Sequence, residues 1–128
     1  MGNKRNTGKN LTFSKSVAIA AHGFVTVFKN EAKVRLSFLV AFIFVSLAIW
    51  IKVSYIELFL ILFAWAQVVV GEIFNTSLEK AMDYASDKEF HPLIELGKDY
   101  AAGSVFVLSV FASCSSLFII GIKYFKLV

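Results

Sequence analysis

Glu72, Asn75, Glu79 and Asp83 stand at i, i+3, i+7 and i+11, so on a continuous helix they form one polar stripe. Carboxylates stacked one or two turns apart repel each other unless a cation joins them. A lysine or arginine from a neighbouring helix could do so. A divalent hard cation is the more economical solution, because Mg²⁺ prefers oxygen ligands and is usually held by one or two carboxylates together with substrate phosphates. On that reading Glu79 holds metal, Glu31 supplies a second carboxylate, and Glu72 serves as a general base. The chain contains neither G-x-x-x-x-G-K-[ST] nor G-x-G-x-x-G, so phosphate would be held by the metal and by Lys98 rather than by a glycine-rich loop.

These few polar residues sit in a chain that is otherwise apolar. Of its 128 residues 58% are hydrophobic and 17% charged, against roughly 45 to 50% and about 25% in average globular sequences. So short a chain cannot hide that much apolar surface in its own interior, and it needs lipid, partner chains or both. One proline excludes a proline-rich linker, and the single Cys114 excludes an internal disulfide framework or a cysteine zinc cluster. The length fits one domain, 1–128. The polar, basic first ten residues are not followed by the apolar core of a secretory signal, and Met1-Gly2 opens like a myristoylation site but has Asn6 where Ser or Thr is required.

A hydrocarbon core of about 30 Å takes about 20 helical residues. Three segments meet that requirement, predicting membrane helices over about 33–51, 55–80 and 100–122. The first is short and flanked by Lys33, Arg35 and Lys52, which can snorkel. The second starts at Ser54, whose S-x-x-E relation to Glu57 reads as a capping box. The third carries no charge from Tyr100 to Ile122, and its Ala102, Ser109, Ser113 and Ser116 recur at a spacing suited to close helix packing. Ahead of them, Phe13, Val17, Ala20, Phe24 and Phe28 share one face and Lys15, His22, Thr26 and Lys29 another, which predicts an amphipathic surface helix over about 13–28. The expected fold class is therefore all-α integral membrane.

Charge position supplies the orientation. Seven of thirteen basic residues lie before position 36 and three more, Lys80, Lys88 and Lys98, lie between the second and third spans. The positive-inside bias then places the N-terminus and the 80–98 loop in the cytoplasm, and the Lys52 turn and C-terminus outside. Net charge of +4 is a topology signal, and no basic stripe with interleaved aromatics points to nucleic acid. Seven of the nine acids fall between Glu72 and Asp99. Glu72 lies about 27 Å along the helix from Ser54, just inside the inner interface, where ionisable residues are functional candidates. Gln67 is expected to make an interhelical hydrogen bond, Trp50 to sit in the outer aromatic belt, Trp65 to serve packing alone, and Cys114 to be a small packing residue.

Glu72-Ile-Phe-Asn75-Thr76-Ser77-Leu-Glu79, then Asp83, His91 and Gly97-Lys98-Asp99-Tyr-Ala-Ala-Gly103, with Asn30-Glu31-Ala-Lys-Val-Arg35 upstream, strongly resemble the prokaryotic diacylglycerol kinase and undecaprenol kinase family. The resemblance runs from about Phe13 to the last span. It implies a small homotrimer in the cell (inner) membrane, with three transmembrane helices and one surface helix per subunit, and active sites between subunits at the cytoplasmic interface. It implies an ATP-dependent lipid kinase that phosphorylates undecaprenol or diacylglycerol. Glu72 matches the catalytic base, and Glu31 and Glu79 match the carboxylates that hold Mg²⁺ bound to ATP. Asn75, Asp83, Lys98 and Asp99 match polar positions around the nucleotide, Glu89, Phe90 and His91 lie where a loop covers it, and Gly23, Arg35 and Ala102 fall where lipid substrate approaches. Three departures stand out. Asn10 and Thr12 occupy the region of a basic residue common early in the surface helix. Gly97 replaces the usual alanine and is expected to loosen that helix start, and Ala-Ala-Gly leans toward the undecaprenol branch.

Two other classes compete. A small oligomeric transporter or channel would use intramembrane carboxylates, but it would favour a carboxylate halfway through the bilayer and has no use for Lys98-Asp99. A non-enzymatic assembly partner would tolerate change at Glu72.

Overall fold

The computed structural model describes residues 12–127, which form four helices: α1 (Phe13–Asn30), α2 (Ala32–Trp50), α3 (Tyr55–Ala85) and α4 (Pro92–Leu127). No strand occurs among the described residues. The Met1-Gly2 opening, Lys4, Arg5, Asn6, Lys9 and Asn10 lie outside them. Helices α2, α3 and α4 are each long and apolar enough to cross a membrane. At 1.5 Å per residue, α2 with its 19 residues is about 29 Å long, close to the hydrocarbon thickness, whereas the 31 residues of α3 and 36 of α4 reach about 46 and 54 Å. The surplus turns carry the acidic residues out of the apolar layer.

Both long helices exceed the ranges 55–80 and 100–122 for a local reason. The apolar run of α3 stops before its helical hydrogen bonding does, and α4 begins eight residues ahead of its uncharged stretch. Pro92 is the first residue of α4, where its fixed φ suits a helix and its missing N–H costs nothing. His91 Nδ1 accepts the Leu93 N–H at 3.2 Å. Lys98 and Asp99 therefore stand inside a formed helix.

The helix ends are closed by turns legible in the hydrogen bonds. At the start of α3 the Ser54 hydroxyl accepts the Glu57 N–H at 3.2 Å, and the Glu57 carboxylate accepts the Ser54 N–H at 2.7 Å, the capping box anticipated from the sequence. After α2, Val53 N–H reaches Ala48 O at 3.1 Å and Lys52 N–H reaches Ile49 O at 3.0 Å, with Lys52 at φ 59°. After α3, Lys88 N–H reaches Asp83 O at 2.9 Å and Asp87 N–H reaches Tyr84 O at 3.2 Å, with Asp87 at φ 52°. Both are Schellman closures in which a residue with a side chain takes the left-handed position usually filled by glycine.

Helix α3 is the centre of the bundle, packing most extensively on α4 and then on α2. Ala48, Ile51, Ile61, Trp65, Val68, Ala112 and Ile120 form the main core. Within it the Trp65 ring stacks on Phe44 with centroids 5.1 Å apart, and its Nε1–H donates to the fully buried Ser116 hydroxyl at 3.1 Å. Trp65 thus has a role beyond packing. Nearer the acidic end, a Cβ added to Gly71 would stand 2.9 Å from Leu108 Cδ1, so α3 and α4 approach closely beside Glu72. Gly97 is packed rather than loose, since a Cβ there would meet Met82 Cε at 2.8 Å. Helix α1 has no buried residue; Phe24 and Phe28 touch Phe38 of α2 edge to face.

Two packing expectations are corrected. Gln67 is exposed and makes no hydrogen bond within the described residues, and Cys114 is exposed rather than packed. The buried face of α3 follows Ile61, Trp65 and Val68, and that of α4 follows Ala112 and Ser116; a residue two positions further on points about 200° away. Of the small-residue series, Ser116 is buried, Ser109 and Ser113 are half-buried and Ala102 is exposed. Large apolar side chains such as Phe42, Phe106 and Phe118 face outward, toward lipid or other chains.

Ser116→Ala should leave the Trp65 N–H without its acceptor and cost about 1 kcal/mol, at the upper end of such bonds in membranes. It is read as a lower thermal midpoint in detergent. Trp65→Phe introduced into that variant should cost less than Trp65→Phe alone; strictly additive losses would show that the bond contributes nothing.

Candidate functional site at the acidic end of the bundle

Glu31 interrupts the helix between α1 and α2 with extended backbone, φ −113° and ψ 109°. This break turns the Glu31–Lys33 segment toward α3. Two crossed ion pairs result: Lys80 Nζ lies 3.2 Å from Glu31 Oε1, and Lys33 Nζ lies 3.9 Å from Glu79 Oε1. Both lysines are exposed, so solvent screens these pairs and an incoming group can displace them at small cost. Arg35 holds the same junction from below, donating to Phe28 O at 2.9 Å and Lys29 O at 2.6 Å. It caps the free carbonyls at the end of α1.

Along α3, Asn75 Nδ2 donates to Glu79 Oε1 at 3.2 Å. The other amide atom, Oδ1, is buried without a hydrogen-bond partner among the described residues, and Asn75 is only 4% exposed. One turn further, Asp83 pairs with Lys98 of α4, and Lys98 Nζ also lies 3.7 Å from Glu95 Oε1. Met82 fills the space over Gly97, holding the two helices close enough for that pair. Glu72 differs from the rest. It is half-buried and takes part in none of the ion pairs among the described residues.

Glu72 stands where two open clefts meet. One, of about 290 Å³, is lined by Lys33, Asn75, Ala102, Phe106 and Ser109; the other, of about 250 Å³, runs past Ser37, Val40, Trp65, Ser109 and Ser113. Each includes Lys33 and Glu72. A further cleft of about 270 Å³ lies between α1 and α3, with Gly23, Thr26, Glu31, Ser77 and Lys80 on its walls. Glu89, Phe90 and His91 are exposed in the turn after α3 and line an open cleft of about 410 Å³ with Met82 and Ile94.

The fold therefore joins Asn75 to Glu79, ties Glu31 to Lys80, the residue after Glu79 on α3, and sets Asp83 with Lys98 further along that helix. Ala102 joins Glu72, and Gly23 joins Glu31, in the clefts just described. Asp99 stays exposed, and the Arg35 guanidinium lies on the α1 carbonyls. Lys33, Lys80, Ser109 and Ser113 belong to these surfaces too, although the stripe on α3 does not reveal them. Lys80 could have been found from its place beside Glu79, and the serines from their spacing on α4, but nothing in sequence pairs Lys33 with Glu79.

Among the described residues no three His, Cys, Asp or Glu side chains converge to enclose a metal. Glu31, Glu79 and the unpartnered Asn75 Oδ1 are nevertheless hard oxygen donors. That set fits Mg²⁺ arriving with phosphates, which supply the remaining ligands, and does not fit a cation caged by protein alone. On the apolar side, an unpaired half-buried carboxylate at the mouth of a membrane cleft can take a proton from a group delivered by the bilayer.

Residues 18–120 match the family model for prokaryotic diacylglycerol kinase. Diacylglycerol kinases from two Helicobacter pylori strains are each 28% identical over 97 residues, spanning 76% of this chain and 75% of theirs.

Arg35→Gln should free the carbonyls of Phe28 and Lys29 and fray the end of α1. Amide hydrogen exchange at Asn30 and Glu31 should rise at least several-fold, with the core amides of α3 unchanged. Unaltered exchange at Glu31 would show that the guanidinium does not hold the junction.

Proposed function

The chain belongs to the prokaryotic diacylglycerol kinase family, and from that premise we propose that it transfers the γ-phosphate of ATP to the hydroxyl of a membrane lipid alcohol, undecaprenol or diacylglycerol. Membership makes it a multi-pass membrane lipid kinase, a phosphotransferase with an alcohol acceptor. The observation that carries the finer reading is Glu72, an unpaired, half-buried carboxylate between a cluster of hard oxygen donors and clefts open to the apolar layer.

In this reading the Glu72 carboxylate accepts the hydroxyl proton while the alcohol oxygen attacks the γ-phosphorus, and ADP leaves with the electrons of the broken P–O bond. Phosphoryl transfer asks the protein chiefly for positioning and charge neutralisation. Glu31, Glu79 and Asn75 Oδ1 would hold Mg²⁺, which when bound neutralises charge on the phosphate oxygens. Lys33 and Lys80 would be freed to meet phosphate when their carboxylates turn to the cation, since both lysines are exposed and solvent screens the pairs. Lys98, kept in place by Asp83 and Glu95, adds a positive charge beside the polyphosphate, with Asp99, Glu89, Phe90 and His91 around the rest of the nucleotide. Gly23, Arg35 and Ala102 lie along the lipid's approach.

Supporting the placement of this end in the cytoplasm of the cell membrane, where ATP is found, is the excess of basic residues before position 36 and between α3 and α4. A homotrimer accords with the wide apolar faces the single chain leaves uncovered.

Purified protein in vesicles, given Mg-ATP and each lipid, should form the lipid phosphate. Glu72→Gln should lower kcat by about 10²- to 10⁴-fold, the usual contribution of a general base, while nucleotide affinity stays within a few-fold; a variant with wild-type kcat refutes the base assignment. Glu79→Gln should raise the Mg²⁺ concentration needed for half-maximal rate and leave the pH profile unmoved. An unchanged Mg²⁺ requirement would remove Glu79 from the metal site.

A further inference from the structure

We propose that Ser109 and Ser113 of α4 are lipid-positioning residues that donate hydrogen bonds to the ester carbonyls of the acceptor, making the site selective for an ester-bearing alcohol. This rests on the lipid-kinase reading and concerns the same site. Serines in apolar helices ordinarily satisfy their hydroxyls by donating to a carbonyl one turn back. Ser37, Ser77, Ser104 and Ser115 do so here, and Ser116 instead accepts from Trp65. Among the described residues Ser109 and Ser113 make neither kind of bond; Ser46 makes none either, but it is exposed on the outer face of α2. Both are half-buried and both line the cleft that holds Glu72.

The placement follows from the packing. Gly71 of α3 lies against Leu108, which sets Ser109 level with Glu72. Ser113 lies one turn deeper, about 6 Å along α4, and the Trp65–Ser116 bond closes the polar lining a further turn below. An unpaired polar group in an apolar layer is costly. The adjoining cleft, which Ser109 and Glu72 also line, holds Asn75 Oδ1, nine-tenths buried and without a hydrogen-bond partner among the described residues. Polar groups are thus waiting on both sides of the base.

A diacylglycerol matches that arrangement. With its free hydroxyl at Glu72, its two ester groups begin on the next two carbons and their carbonyls extend away from the interface, toward Ser109 and Ser113. Behind its hydroxyl a polyprenol carries hydrocarbon alone and would leave both serines unpaired. A site built to hydrogen-bond a substrate group discriminates against an analogue lacking it.

Diacylglycerol and the corresponding dialkyl ether of glycerol differ only in the ester carbonyls, so their comparison on the wild-type enzyme needs no variant. The ester should be phosphorylated with kcat/KM at least tenfold above the ether. Ser109→Ala/Ser113→Ala should reduce that ratio to within about twofold of unity, mainly through KM and with an unchanged pH profile, and Ser109→Thr/Ser113→Thr should restore part of it. Equal wild-type rates on ester and ether would overturn the proposal, as would a double alanine variant that keeps the full preference. Failure to phosphorylate ester, ether and polyprenol alike would instead refute the kinase reading, and this inference with it.

Discussion

Glu72 is held half-buried and, among the described residues, without an ion-pair partner at the boundary between an apolar layer and an acidic, hydrated end, and the surrounding structure is arranged to make that tolerable. A carboxylate left in a low-dielectric region without a cation is expensive. Here it is permitted because α3 continues for thirteen residues past it, so the same helix that carries it through the apolar layer emerges into a region of lysines. The helix break at Glu31 brings Lys33 to the cleft beside it. Glu72 is thereby near positive charge without forming an ion pair with it among the described residues.

Rigidity around this residue comes from contacts of two kinds. On the apolar side, Trp65 stacks on Phe44 and bonds Ser116, so one indole ties three helices together at mid-depth. On the polar side, Gly97 accommodates Met82 and lets Asp83 meet Lys98. Between the two, Gly71 admits Leu108. Helix α3 is thus clamped to α4 above and below Glu72, while the exposed Lys33–Glu79 and Lys80–Glu31 pairs remain free to rearrange. Precision and adaptability are assigned to different residues.

Legibility followed the range of the interaction. The capping box at Ser54 and Glu57, the three apolar spans and the polar stripe of α3 depend on residues close in sequence, and helical geometry alone relates them. The extension of α4 back to Pro92 was less visible, because hydropathy marks where lipid ends and not where helical hydrogen bonding ends. Residue type alone places Gln67 and Cys114 wrongly, since both lie about 200° round their helices from the buried faces. Trp65 was underestimated because its partner is 51 positions away.

What the sequence determined by itself was the class of molecule: too apolar for water, with eight of its nine acids toward one end and Glu72, Glu79 and Asp83 spaced to share a helix face. Its motifs also carried the family resemblance. Tertiary structure alone decided which acids of the α3 stripe and the Glu31 junction are paired among the described residues and which is not. Glu31 and Glu79 face lysines and Asp83 faces Lys98, whereas Glu72 opens onto a cleft shared with Ser109 and Ser113. Those relations join residues on different helices, and the physical reason they could not be read beforehand is that helix rotation and axial register are set by side-chain packing, here by Gly71 on Leu108 and Trp65 on Ser116.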